Sequence, residues 1–171
     1  MKKTNINSKK GFTIIEVVLV LAIAGLIFLM VFIALPALQR NQRDTQRRND
    51  YSMLSSAITS YASNNGGKID RLSTQSACNK SKALDAKVFI NQEGKDPDGV
   101  DYTLVACTAS QFLNADHSEP AAGEVYVVIG ADCTGSAPKT SNAYPKANNS
   151  TRAFAIYGYV ENGTSYCSAS Q

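Results

Sequence analysis

The sequence predicts an α+β fold in which one long N-terminal helix packs against a small antiparallel sheet of three to four strands. Three observations predict it. Neither glycine nor proline occurs between Ala37 and Asn65, so the apolar segment before that stretch continues into a polar one without a loop signal. Tyr51, Leu54, Ile58 and Tyr61 recur at intervals of three and four, which is one stripe of an amphipathic helix, flanked by Ala57 and Ala62. Beyond Gly67 the pattern changes to short β-rich runs separated by turn residues.

Residues 1–11 are polar and lysine-rich, with Lys2, Lys3, Lys9 and Lys10. From Phe12 to Leu38 there are 27 residues, of which Glu16 alone is charged. That length crosses a bilayer core, which needs roughly 20 apolar residues. The helix is expected from about Phe12 to Asn64, a length on the order of 80 Å at 1.5 Å per residue. Asn64-Asn65-Gly66-Gly67 stops it, because Gly and Asn tolerate the left-handed conformation of a helix C-cap. Inside it, Gly25 lowers helix propensity, and Pro36 removes a donor and predicts a kink near residues 32–36.

The C-terminal region reads as a sequence of small elements. A short helix is expected near Ser81–Phe89, and Asp96-Pro97-Asp98-Gly99 has the composition of a turn. Val100–Cys107 reads as a strand with Tyr102, Leu104 and Ala106 on one face. Another short helix is expected at Ser110–Ala115, and Glu124–Gly130 reads as a second strand. Residues 131–152, rich in Ser, Thr, Asn, Lys and Pro, read as a surface loop. Ala153–Val160 and Ser165–Ser168 read as a hairpin around Glu161-Asn162-Gly163. A sheet with one polar face must bury the other, and the stripe from Tyr51 to Tyr61 is the apolar surface at hand.

Charge narrows the function classes. The chain carries a formal +3, yet four of its 17 basic residues lie in residues 1–11; removing them leaves 13 against 14 acidic groups. The basic balance is therefore a targeting signal, and no specific nucleic-acid site is evident. Lysines before the apolar run place the N-terminus inside and residues beyond 40 outside. Arg40, Arg43, Arg47 and Arg48, opposed by Asp44 and Asp50, complicate that count. Cys78, Cys107, Cys133 and Cys167 all follow the run, and disulfides persist in oxidising surroundings, which favours export of this part. Four cysteines read as two disulfides with three open connectivities, and free buried thiols are the alternative. Their shortest spacing is too wide for the close pairs of a zinc site. His117 is the single histidine, Gly-rich phosphate loops are absent, and no catalytic set can be assembled, so no enzyme activity and no cofactor are expected.

The decisive stretch is Lys10-Gly11-Phe12-Thr13-Ile14-Ile15-Glu16. A secretory signal places its small residues after the apolar run; here Gly11 precedes it, so a cut there leaves the run on the mature chain. This resembles the leader and first helix of type IV pilins, subunits of thin bacterial surface filaments. The resemblance implies cleavage after Gly11 by a prepilin peptidase, N-methylation of Phe12, and the pilin fold. By its terms residues 1–11 are a leader that is removed. Residues 12–38 are the transmembrane and filament-core half of the helix, and 39–65 its amphipathic half. Residues 66–171 form a disulfide-bonded head.

A carboxylate in a bilayer is costly and usually has a partner. Cleavage creates an amine at Phe12, and in a bundle a neighbour's amine neutralises Glu16, which makes Phe12 and Glu16 the assembly residues. The resemblance implies helix loss between Gly25 and Pro36 within a filament. For the disulfides it implies Cys133 with Cys167, leaving Cys78 with Cys107; a second bridge departs from the commonest pilin pattern. Some pilin relatives bind calcium, and Asp96, Asp98 and Asp101 are candidate ligands. They lack the later glutamate of an EF-hand loop, and a solvated turn is the better reading. The expected function is thus a main pilin that sits in the cytoplasmic membrane and is then polymerised into a surface filament for adhesion, twitching motility or DNA uptake. Its expected partners are copies of itself, prepilin peptidase, the assembly platform and minor pilins. A type II secretion pseudopilin or a minor pilin is one alternative, although the tip-most pseudopilin typically lacks the glutamate. A membrane-anchored binding domain that never polymerises is another.

Overall fold

A computed structural model describes residues 11–69, 72, 78, 95–115, 119–136, 143–148, 150–161 and 165–170. The expected helix at 81–89, His117, Asn162 and Gly163 lie outside the described residues, as do the leader lysines. The chain divides into two compact units, Met1–Gln39 and Arg40–Gln171.

Helix α1, Ile14–Asn64, is unbroken at Gly25 and at Pro36. In the first unit its apolar side chains are exposed almost throughout, and it is long and apolar enough to cross a membrane. In the second unit it becomes one-sided. Tyr51, Leu54 and Ile58 are buried, whereas Ser52, Ser56, Ser60 and Ser63 are exposed, and the hydroxyls of Ser56, Ser60 and Ser63 donate to carbonyls of the preceding turn. Gly67 closes the helix by donating to the Ala62 carbonyl at 2.7 Å, with Gly66 and Gly67 at φ 67° and 78°. Those left-handed angles are why glycines stand at the stop.

The head contains β1 (Thr103–Thr108), α2 (Ala109–Asn114), β2 (Glu124–Ile129), β3 (Ala131–Ser136), β4 (Ala143–Ala147), β5 (Phe154–Gly158) and β6 (Tyr166–Ala169). A four-stranded sheet runs β1-β2-β5-β6, and β3 and β4 form a separate antiparallel pair. Two expectations are corrected here. The sheet is mixed, because β1 and β2 are parallel. The segment between them, α2 included, is long enough for the crossover that parallel pairing requires. Residues 131–152, expected as a surface loop, instead contain β3 and β4.

The expectation of one polar sheet face is also corrected. One face carries Leu104, Ala106, Val125, Val127, Ile129, Phe154 and Ile156 against Tyr51, Leu54 and Ile58 of α1. The other carries Val105, Tyr126, Val128, Ala155 and Tyr157 against Phe112 of α2 and Tyr144 of β4. Phe112 meets Tyr126, Tyr144 and Tyr157 at ring-centre distances of 5.4 to 5.8 Å. Both disulfides close over this second face: Cys78 is bonded to Cys107 of β1, and Cys133 of β3 to Cys167 of β6. Gly158 ends β5 under the Tyr51 ring, where an added Cβ would lie 2.5 Å from Tyr51 Cζ.

Candidate functional site

The N-terminal site is built at the first turn of α1. Gly11, Phe12 and Thr13 precede the helix, and Phe12 is 91% exposed. Thr13 donates twice to Glu16 Oε2, from its backbone N–H at 2.9 Å and from its hydroxyl at 2.8 Å. Glu16 thus occupies the third helical position and reaches back to the residue that starts the helix, as the glutamate of a capping box does. The helix N-terminus carries partial positive charge from its unpaired N–H groups, and a carboxylate there is favoured. Sequence reasoning missed Thr13, although Thr-x-x-Glu before an apolar run is a visible capping signal.

Among the described residues, chain neighbours and the helix's own backbone aside, no heavy atom lies within 4 Å of where a Cβ at Gly11 or Gly25 would stand. Crowding by those residues therefore does not require glycine at either position. Phe12, Glu16, Val17, Val20 and Leu21 line an open groove of about 340 Å³ on this otherwise bare helix.

Residues 6–32 match a family described as the prokaryotic N-terminal methylation motif. The chain carries the class III leader of type IV pilins. That motif marks pilin-like or pseudopilin precursors, which a prepilin peptidase processes and which assemble into pilus-type filaments. No curated protein and no solved structure matches the chain significantly. The motif ends at residue 32, so the head stands on its own geometry.

In the head the candidate calcium set is not assembled. Asp96 is 2% exposed and presents both oxygens to Arg47, at 2.7 and 2.9 Å. Asp98 accepts from the same guanidinium at 2.6 Å, while Asp101 is exposed. The turn is thus not solvated at Asp96, because a buried arginine claims it. Among the described residues no group of three His, Cys, Asp and Glu could hold a metal ion.

Arg47 is the centre that sequence reasoning passed over. It is fully buried, and its five N–H groups meet Asp96 twice, Asp98, Asp44 at 3.2 Å and Glu161 at 3.0 Å. Five is the whole donor inventory of a guanidinium. Arg43 grips Glu161 with two parallel bonds of 2.5 and 2.7 Å, the bidentate geometry special to arginine. These hydrogen bonds, chiefly from Arg43, hold the Glu161 carboxyl down at about 2. Burial pulls Arg47 toward its neutral form, but the bonds from Asp96 and Glu161 outweigh it and the net direction is up. Beside the cluster, Tyr102 donates to Asp50 at 2.7 Å, and burial pushes the Asp50 carboxyl up.

Proposed function

We propose that this chain is the main structural subunit of a type IV pilus. Prepilin peptidase cuts it after Gly11 and methylates Phe12. Before assembly it is held in the cytoplasmic membrane by residues 12–38, with its N-terminus inside and its head outside. The assembly platform, together with minor pilins, extracts it into a helical polymer that serves adhesion, twitching motility or DNA uptake.

The observation that carries this reading is Glu16, the single charge between Phe12 and Leu38, in a half of the helix whose large apolar side chains are exposed among the described residues. Thr13 occupies Oε2 in the single chain, and Oε1 is the oxygen suited to a neighbour's Phe12 amine. One charge pair then sets the stagger between adjacent helices, while apolar faces supply the packing energy. The open surroundings of Gly11 and Gly25 support the same reading, because no crowding among the described residues accounts for glycine there. In the filament the helix loses its hydrogen bonds between Gly25 and Pro36; density for a continuous helix there would refute that part.

The test is N-terminal sequencing and mass analysis of sheared surface filaments. The expected result is this chain as the dominant component, beginning at a methylated Phe12. A processed chain present only in trace amounts would make it a minor pilin or pseudopilin. An intact Met1 in cells with active prepilin peptidase would overturn the reading in favour of an anchored domain that does not polymerise.

A further inference from the structure

We propose that the Arg47 cluster is an acid-sensitive clasp, which holds residues 95–102 and 159–161 on α1 while Glu161 is ionised and releases them when that carboxylate is protonated. Three segments distant in sequence meet at one buried guanidinium. Helix α1 supplies Arg43, Asp44, Arg47 and Asp50. The turn before β1 supplies Asp96 and Asp98, and the segment after β5 supplies Tyr159 and Glu161. Each segment is tied by more than one bond. Besides its two arginine contacts, Glu161 donates its backbone N–H to Asp44 Oδ1 at 2.8 Å, and Tyr51 donates to the Tyr159 carbonyl at 2.8 Å. The Arg47 guanidinium lies 5.0 Å from the Tyr159 ring centre, so the same group stacks on the segment that it binds.

The charge count makes the arrangement conditional. Two guanidiniums, Arg43 and Arg47, face four carboxylates, Asp44, Asp96, Asp98 and Glu161, with Asp50 a fifth behind Tyr102. Of the remaining charges on these segments, Arg40, Lys95 and Asp101 are exposed, and Arg48 sits over the Tyr166 ring. A buried guanidinium that loses its carboxylates is left uncompensated in a poorly solvated place, which favours opening toward water.

The sign follows from two groups with opposite effects. Glu161 ionises more readily folded than unfolded, so its stabilisation is complete above about 4.5 and disappears as pH falls through about 2. Asp50 is shifted upward, so it opposes folding once ionised and relaxes on acidification. Acid therefore removes both the Asp50 penalty and the Glu161 support, and the latter is what the clasp loses. What opens is the pair of segments that Arg47 holds, ahead of the apolar strand β2.

The experiment is amide hydrogen exchange on the full chain in detergent micelles, corrected for intrinsic rates, at about pH 6 and about pH 2. The expected result is a loss of protection of about tenfold or more in residues 95–102 and 159–161 at the lower pH, with β2 unchanged. Glu161→Gln is expected to show that loss already at about pH 6 and to change little further on acidification. Asp98→Asn, at the more exposed edge of the cluster, is the milder variant should Glu161→Gln fail to fold, and is expected to show a smaller loss confined to 95–102. Equal protection at both pH values would overturn the proposal. So would wild-type behaviour in both variants, or a loss spread evenly through β2.

Discussion

The two halves of α1 handle charge in opposite ways. In the first unit a single carboxylate stands on a helix whose apolar side chains are uncovered, and its bonds among the described residues are local ones to Thr13. In the second unit the helix buries Asp44, Arg47 and Asp50, and the partners of those charges come from segments up to 117 residues away. The head supplies cations from its own chain to most of its buried carboxylates, although Asp44 Oδ2 stays unpartnered, whereas the N-terminal half leaves apolar surface bare and gives its acid no cation among the described residues. Residues that the fold of one chain does not explain are the ones to assign to assembly. Residues that the fold saturates are the ones to assign to stability.

Four substitutions probe that division. The largest effect is expected from Glu16→Ala. Processing, membrane insertion and head stability should be unchanged, while filament yield in sheared fractions falls by about tenfold or more, since the neighbour's amine loses its partner. Normal filament numbers would place Glu16 on the wrong side of the comparison. Arg47→Ala should do the reverse, lowering head stability by about 3–5 kcal/mol in denaturant unfolding, because buried carboxylates lose their cation. An unchanged midpoint would mean that the cluster contributes little net stability.

Gly158→Ala comes next, at about 1–3 kcal/mol, because the new methyl overlaps a Tyr51 ring fixed in the core. Thermal unfolding would detect it, and an unshifted transition would show that the ring can move aside. Thr13→Val is expected to have the smallest thermodynamic effect, about 1 kcal/mol at the helix N-terminus. Filament yield should fall modestly, and Thr13→Ser should restore it. Equal yields from both variants would show that the hydroxyl does not position Glu16.

How much could be read from the sequence follows the same division. The stripe Tyr51, Leu54, Ile58 was plain because period 3.6 survives in any helix that buries one face. It extends backward through Asp44 and Arg47 at the same spacing of three and four. In the sequence those two count only as charges bearing on membrane orientation, because burial of an arginine depends on partners that local pattern does not contain. The capping pair Thr13 and Glu16 was legible and overlooked. In the sheet, the uninterrupted apolar runs of β2 and β5 carried the sign of burial on both faces. The parallel sense of β1 and β2 carried none, since it depends on how the intervening chain crosses over. Strand β3 is polar and β4 contains Pro145, and their pairing is accompanied by the Cys133 bridge and Tyr144 packing rather than by periodicity.

The pair Arg43 and Glu161 has a consequence in time. Its members are separated by 118 residues, and β5, which belongs at the centre of the sheet, is made long after the helix that covers it. Contacts so far apart close slowly, and until they close the apolar strands have no cover. During synthesis the second half of α1 therefore waits, its buried arginine still wet, until the turn after β5 arrives.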